Sequence, residues 1–544
     1  KTLVHLFPRI PKRGTIYDRN GQPLAVDADL KVVGVVPDLM NDKELTIASL
    51  ARALQMPVQE VRSRVDVNVP SFYFVPVQTL PFGTTDDQAQ PFFDMKDLGV
   101  VVQNKTFRVY PHGDAAAHVL GYMREVTEEQ LKELAPKGYG PGDRVGDAGL
   151  EGQFETELAG QRGGVLATIA PEGNIVQRIT QKPAQAGQDI YLSIDINIQK
   201  TAEAALGERT GSVVVLDPRD NSVLALASYP RFDPNDFIKG LTPEAANRLI
   251  NDPRQPFLHR PLLATYPPGS TFKVVTGAAG LERGGFSTGS TVRCTPLWYG
   301  LGAQFVKANW QSVDRGSLTI AQGLMASCNP VFYEVALALD HIDPNILPQF
   351  ARAFGFGAPS GIGMEEAAGN VPDPKWKEEN LDEPWFSGDS VNMGIGQGFL
   401  LVTPLQIANL YSSLASGAEL RKPLLVRKIV SPNGATREFT TEVIQKLPIS
   451  ESTLAHLRQG LTMVTQDPGG TSYRVFLGAG VDAAGKSGTA EDLAFGSDHV
   501  FFVAYANRAN PSIVALMALE EGKSGSAEAA PKVRQILETH VNHS

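Results

Sequence analysis

Two hairpin signals, far apart in the chain, constrain the fold most. Residues 212–216, the turn Asp217-Pro218-Arg219-Asp220-Asn221 and residues 222–228 form the first. Residues 499–506, the turn Asn507-Arg508-Ala509-Asn510 and residues 512–519 form the second, ahead of a final helical stretch over 527–541. Between them the apolar pattern is mostly helical. Strands at both ends with helices between imply one α+β unit whose sheet is closed by its first and last segments. An alternating strand over 189–195 and a short helix over 198–206 lead into it, and the texture of the chain changes near residue 188. This divides the chain into residues 1–187 and 188–544.

The first region is mixed. Arg13 to Ala25 reads as two short strands around an Asp18-Arg19-Asn20-Gly21 turn. Residues 43–65 carry a helical apolar repeat through Leu45, Ile47, Leu50, Leu54, Val58 and Val61. Residues 80–145 are rich in Pro, Gly and Asp and hold no nucleophile–base pair. This half reads as structural.

Chemistry concentrates in the second region. In Thr265-Tyr266-Pro267-Pro268-Gly269-Ser270-Thr271-Phe272-Lys273 a rigid Pro-Pro-Gly turn delivers the chain into an apolar helix. Ser270 falls near the helix N-terminus, where backbone N–H groups are free, and Lys273 one turn deeper on the same face. Burial among Phe272, Val274 and Val275 would disfavour the ammonium, so that the amine could take the serine proton. By itself Ser-x-x-Lys is a weak motif, equally compatible with a capping serine and a solvated lysine. Ser327-Cys328-Asn329-Pro330 lies between two helical runs; alone it reads as ordinary capping, with Asn329 as N-cap and Pro330 in the first turn. Lys486-Ser487-Gly488-Thr489 offers a cation and two hydroxyls in an extended segment, suited to recognising a carboxylate, and Gly488 lets a substrate backbone approach closely. Asn392-Met393-Gly394-Ile395-Gly396-Gln397-Gly398 reads as a packing floor, with a helix starting at the capping-box pair Thr403 and Gln406.

Other chemistries fare worse. Residues 480–487 match the phosphate-loop pattern, with Val475-Phe476-Leu477 as a possible preceding strand. Glycines soon after leave no room for the long helix such a loop opens, and too little chain remains for its sheet. Gly285-Phe286-Ser287-Thr288-Gly289 matches a nucleophile elbow but follows a helix where a strand is required. Nine histidines are scattered without metal-ligand spacing, and two cysteines, Cys294 and Cys328, exclude a disulfide scaffold or multi-cysteine metal site. No metal or other cofactor is implied. A net charge of −10 argues against a nucleic-acid surface.

Ser270-x-x-Lys273, Ser327-x-Asn329 and Lys486-Ser487-Gly488-Thr489 stand in the order of the penicillin-recognising serine enzymes. The whole chain resembles a class B penicillin-binding protein. Arg13 to Gly21, and Gly149-Leu150-Glu151 with Leu158-Ala159-Gly160, resemble that class's N-terminal pedestal. Gly394 to Gly398 and Thr403 to Gln406 match a transpeptidase-domain signature. Serine stands at 487 where threonine is commoner, and His499-Val500-Phe501-Phe502 lacks the usual tryptophan.

The resemblance implies an antiparallel sheet flanked by helices, like that of the serine β-lactamases, above an elongated, non-catalytic pedestal or dimerisation-type domain. It implies a peptidoglycan D,D-transpeptidase acting on the D-alanyl-D-alanine end of a stem peptide. Ser270 would attack, Lys273 take its proton, and the N–H groups of Ser270 and Thr489 form the oxyanion hole. Ser327 would relay a proton to the departing D-alanine, and Asn329 would hold the acyl-peptide amide and Lys273. Lys486, Ser487 and Thr489 would bind the terminal carboxylate, with Lys486 helping to keep Lys273 neutral. An acceptor amine would complete the cross-link, and β-lactams would trap Ser270. Expected partners are the stem peptide, the acceptor amine, β-lactams and a membrane glycan-strand polymerase. The expected place is the extracytoplasmic face of the bacterial membrane, held by an anchor upstream of Lys1. A serine β-lactamase or a β-lactam sensor of the same fold is the alternative; the long N-terminal region and the lack of spans argue against them.

Overall fold

The computed structural model describes residues 3–169, 175–492 and 495–543. In the N-terminal half, Leu3–Arg9, Gly163–Ile169 and Ile175–Lys182 form a three-stranded antiparallel sheet. The expected Asp18-Arg19-Asn20-Gly21 turn joins Ile16–Tyr17 to Pro23–Val35. Asp18 Oδ1 accepts the backbone N–H groups of Asn20 and Gln22, each at 2.8 Å, and Gly21 takes φ +80°. The second strand is far longer than the sequence implies and pairs with Val100–Val109 from Val26↔Val109 to Val35↔Val100. Its far half carries a small core of its own, covered by two helices, Lys43–Leu54 and Val58–Val65. The repeat read over 43–65 is thus broken, because Gln55 turns left-handed at φ 54° and Pro57 opens the second helix.

A charged knot ties this half together. Glu151 is fully buried and accepts from Arg13 Nε at 2.7 Å and Arg108 Nε at 2.6 Å, with the Tyr110 hydroxyl at 3.2 Å. The two stretches that resemble a pedestal are therefore partners in space. Two arginines outweigh the desolvation that would raise its pKa and hold the Glu151 carboxyl below its ordinary value. At the change of texture, Asp189–Leu192 pairs parallel with Ile16–Tyr17 and antiparallel with Val426–Val430, so one sheet runs from the N-terminal half into the C-terminal one.

The C-terminal half is built on a five-stranded antiparallel sheet: β1 (Gly211–Asp217), β2 (Ser222–Tyr229), β3 (Ala483–Ala490), β4 (His499–Ala506) and β5 (Ile513–Leu519), in the order β2-β1-β5-β4-β3. β1 pairs with β5 from Gly211↔Leu519 to Leu216↔Val514, so the first and last segments do close the sheet. Both faces are apolar. Val213, Val215, Phe502 and Met517 pack under Ile196–Leu206 and the terminal helix Ala530–His543. Val214, Leu216, Phe501 and Leu516 face the larger core. That core holds α1 (Lys273–Arg283), α2 (Ile320–Ala326), α3 (Asn329–Ile342), α4 (Ser387–Gly394) and α5 (Pro404–Ser416). The capping box read at Thr403 and Gln406 starts α5. Among the described residues, no helix is long and apolar enough to cross a membrane.

Candidate active site

The nucleophile turn is squeezed between two backbones. Gly269 to Phe272 form one tight helical turn ahead of α1, and Gly269 takes φ +54°. A Cβ on Gly269 would lie 2.6 Å from the carbonyl oxygen of Thr489 in β3, and one on Gly396 would lie 2.1 Å from that of Gly269. The Asn392–Gly398 tract is therefore the floor expected, and Thr276 Oγ1 ties α1 to it by donating to Gly394 O at 2.7 Å. Tyr411 of α5 donates to Thr271 O at 2.9 Å and holds the turn from beneath. Ser270 is left half-exposed above buried neighbours.

Lys273 is completely buried. Its amine donates to Ser327 O at 2.8 Å, Asn329 Oδ1 at 2.7 Å and Ser327 Oγ at 3.3 Å. Desolvation, and after it the charge of Lys486, push its pKa well below the usual lysine value. Lys486, also fully buried, donates to Ser327 Oγ at 2.9 Å and Ser487 O at 2.8 Å, and burial lowers it to about 7. The Ser327 hydroxyl thus sits between two amines of weakened basicity, each able to exchange a proton with it.

The geometry at this corner differs from ordinary capping. Ser327 takes φ 52° and ends α2, so the chain reverses one residue early and Cys328, not Asn329, occupies the N-cap of α3. Asn329 is consequently the first residue of α3, and its side chain turns to Lys273. Cys328 is disulfide-bonded to Cys294. That bridge, between cysteines given no role by the sequence, ties the corner to the loop over residues 294–316. From this loop Trp310 Nε1 donates to Ser327 O at 3.0 Å, and Asn309 Oδ1 accepts from Asn329 N at 3.2 Å. Sequence reading missed Asn309, Trp310 and the bridge. The pair of cysteines was the one signal available, and nothing local marks two residues that meet only through a long loop.

β3 is the edge strand of its sheet, with one row of backbone groups facing the nucleophile turn. Thr489 is exposed there, and the Ser487 hydroxyl lies 3.1 Å from that of Thr471. Gly488 is buried, and a Cβ there would meet Thr271 Cγ2 at 2.9 Å, so its missing side chain makes room for the nucleophile turn. The phosphate-loop pattern does not form such a loop, since Lys486 lies inside a strand and residues 473–476 are a short helix.

Ser270, Ser327, Asn329, Ser487 and Thr489 line one cleft of about 880 Å³, with Lys273 and Lys486 buried in its floor. A primary hydroxyl one helical turn from a buried amine of lowered pKa, a second hydroxyl shared by two amines, and an edge strand ending in hydroxyls constitute equipment for acyl transfer.

The comparisons with known proteins agree. Residues 211–538 match the penicillin binding protein transpeptidase domain, and residues 8–192 the penicillin-binding protein dimerisation domain. The chain belongs to the penicillin-binding protein transpeptidase family. Within it, the chain is 30% identical to the peptidoglycan D,D-transpeptidase MrdA of Escherichia coli K12, over 98% of this chain and 87% of that one. It is 30% identical to penicillin-binding protein 3 of Bacillus subtilis over 94% and 74%. Among solved structures, Pseudomonas aeruginosa PBP2 in complex with WCK 5153 superposes with TM-score 0.74 at 27% identity, covering 98% of this chain and 96% of that one. A chain from a peptidoglycan synthase complex described as coordinating polymerization and crosslinking superposes with TM-score 0.82 at 28% identity, covering 100% and 92%.

Proposed function

We propose that residues 188–544 catalyse peptidoglycan D,D-transpeptidation through an acyl-enzyme on Ser270, and that residues 1–187 are a non-catalytic pedestal. The observation that carries this is the buried amine of Lys273, its pKa pushed well below the usual lysine value, bonded to Ser327 and Asn329 one turn from Ser270. The donor stem peptide lies along the free edge of β3 as an added strand, its terminal carboxylate at Lys486, Ser487 and Thr489. Lys273 takes the Ser270 proton as the oxygen attacks the penultimate D-alanyl carbonyl. The oxyanion is met by the N–H groups of Ser270 and Thr489. Ser327, drawing on Lys273 and Lys486, returns a proton to the leaving D-alanine. Asn329 holds Lys273 and the acyl-peptide amide. An amine from a second strand then attacks the ester, the same groups acting in reverse. Gly488 serves this site by letting the nucleophile turn close onto β3.

A β-lactam opened by Ser270 keeps its leaving group tethered and blocks the acceptor. The reaction places the enzyme at the outer face of the cell membrane, and the likeness to a chain from a synthase complex supports a glycan-polymerising partner there. Intact-mass analysis after benzylpenicillin, with peptide mapping, tests the assignment. One adduct is expected at Ser270, absent in Ser270→Ala and long-lived in the wild type. An adduct elsewhere, or rapid turnover of the drug, would sink it.

A further inference from the structure

Two lysines that line the cleft, Lys307 and Lys523, have no part in the three motifs, and of these Lys307 is half-buried while Lys523 is exposed. Lys307 lies on the short strand Lys307–Ala308, paired with Leu297–Trp298, on the loop that the Cys294–Cys328 bridge fastens to the active-site corner. Its Nζ donates to Asn392 Oδ1 at 2.6 Å and stands 5.7 Å from the centre of the Tyr333 ring. Lys307, Asn392 and Tyr333 line the cleft that contains Ser270. Tyr333 is one turn beyond Asn329 on the same face of α3, so the lysine neighbours the group that holds the acyl-peptide amide.

Among the described residues no carboxylate pairs with Lys307; Glu491 and Asp498, which line the same cleft, form no ion pair with it. Half-burial opposite a neutral amide and a ring face lowers its pKa by desolvation, the mark of a cation short of a counterion. The Asn392 oxygen is committed to the lysine, which leaves the amide N–H₂ to donate. The ammonium and the adjoining amide N–H₂ together make a donor pair that a carboxylate would complete.

We propose that Lys307, assisted by Asn392, is a second carboxylate subsite, which binds an anionic group borne by the donor peptide on the acyl side of the scissile bond. It rests on the reading of this cleft as the donor-peptide site, and it is distinct from the terminal-carboxylate site at Lys486, Ser487 and Thr489. A stem peptide can present such a group on its glutamyl residue or on a third-position diamino acid bearing a second carboxylate.

Benzylpenicillin and carbenicillin are a matched pair of probes, since they differ by one side-chain carboxylate. With the full chain, Lys307→Gln should slow acylation of Ser270 by carbenicillin about tenfold or more, and by benzylpenicillin less than about threefold. Lys307→Arg should restore most of the carbenicillin rate. Equal loss with both drugs would assign the lysine a merely structural role, and no loss with either would remove it from recognition; each overturns the proposal. Failure of benzylpenicillin to label wild-type Ser270 would instead overturn the underlying functional reading, and the subsite with it. Synthetic stem peptides amidated at the glutamyl or the third-position carboxylate, competed against benzylpenicillin, identify the source. The amidation that weakens competition in wild type, and not in Lys307→Gln, marks the group bound.

Discussion

Lys273 is pulled two ways. Three acceptors within 3.3 Å favour its ammonium, while complete burial and the nearby Lys486 oppose it, and the opposition wins. Lys273→Met should therefore lower benzylpenicillin acylation by about 10²–10⁴-fold, the range of a lost general base, with the thermal midpoint held or raised. In wild type the acid limb of the acylation pH profile reports deprotonation of Lys273. Lys486→Gln removes a neighbouring positive charge, so Lys273 should keep its proton to higher pH and the limb should move upward; an unmoved limb would break the link between the two amines. Lys486 also affects stability. Its folded pKa of about 7 lies below the ordinary 10.5, so the unfolded chain binds the extra proton between those values. Stability should rise with pH across that window, and the rise should be smaller in Lys486→Met when melting curves of the two are compared.

At the scale of elements, the site depends on backbones brought unusually close and on one loop pinned to one corner. Gly396 carries φ +75°, and a Cβ there would strike the Gly269 carbonyl, so Gly396→Ala should displace the nucleophile turn and abolish benzylpenicillin labelling in protein that still melts cooperatively. The bridge closes a 34-residue separation, for which loop-closure entropy is worth roughly 3–4 kcal/mol. Cys294→Ser with Cys328→Ser should lower the thermal midpoint by several degrees and slow acylation, because Asn309 and Trp310 lose their hold on Asn329 and Ser327. A lower midpoint with an unchanged rate would show that the bridge serves stability alone. These elements also show what could be read in advance. Ser270 and Lys273 lie within one turn, Thr403 and Gln406 within one cap, and both outer hairpins are local, so spacing alone exposes them. Lys307, Asn309 and Trp310 reach the site only through a disulfide and a long loop. The N-cap at residue 328 follows from the left-handed Ser327, which no local pattern announces. Gly488 was legible as a place of close approach, but the packing of Thr271 against it was not.

Across the whole molecule, the buried carboxylate of Glu151 ties distant parts of the N-terminal half together. Glu151 pairs with both Arg13 and Arg108, and Arg13 also reaches Glu155 at 2.7 Å. Close by, Thr15 N donates to Asp189 Oδ1 at 2.7 Å, where Asp189–Leu192 joins the pedestal sheet to Val426–Val430. Removing one partner of such a buried set strands the others, at a cost of about 3–5 kcal/mol. Glu151→Gln should therefore loosen residues 1–187 to limited proteolysis and lower their unfolding temperature. Among the described residues, none of that half lines the Ser270 cleft, so benzylpenicillin acylation should stay within about threefold of wild type. The sign of the pH effect follows from the depressed carboxyl. Its stabilisation is complete above the ordinary value of 4.5 and is lost as pH falls through the lower folded value. Acidification below that point should expose the wild-type pedestal to an acid-active protease while Glu151→Gln, already loosened, changes little. If instead the variant kept its fold and lost acylation, the knot would be acting on the distant serine through the shared strand, and the pedestal would be part of the catalytic machinery.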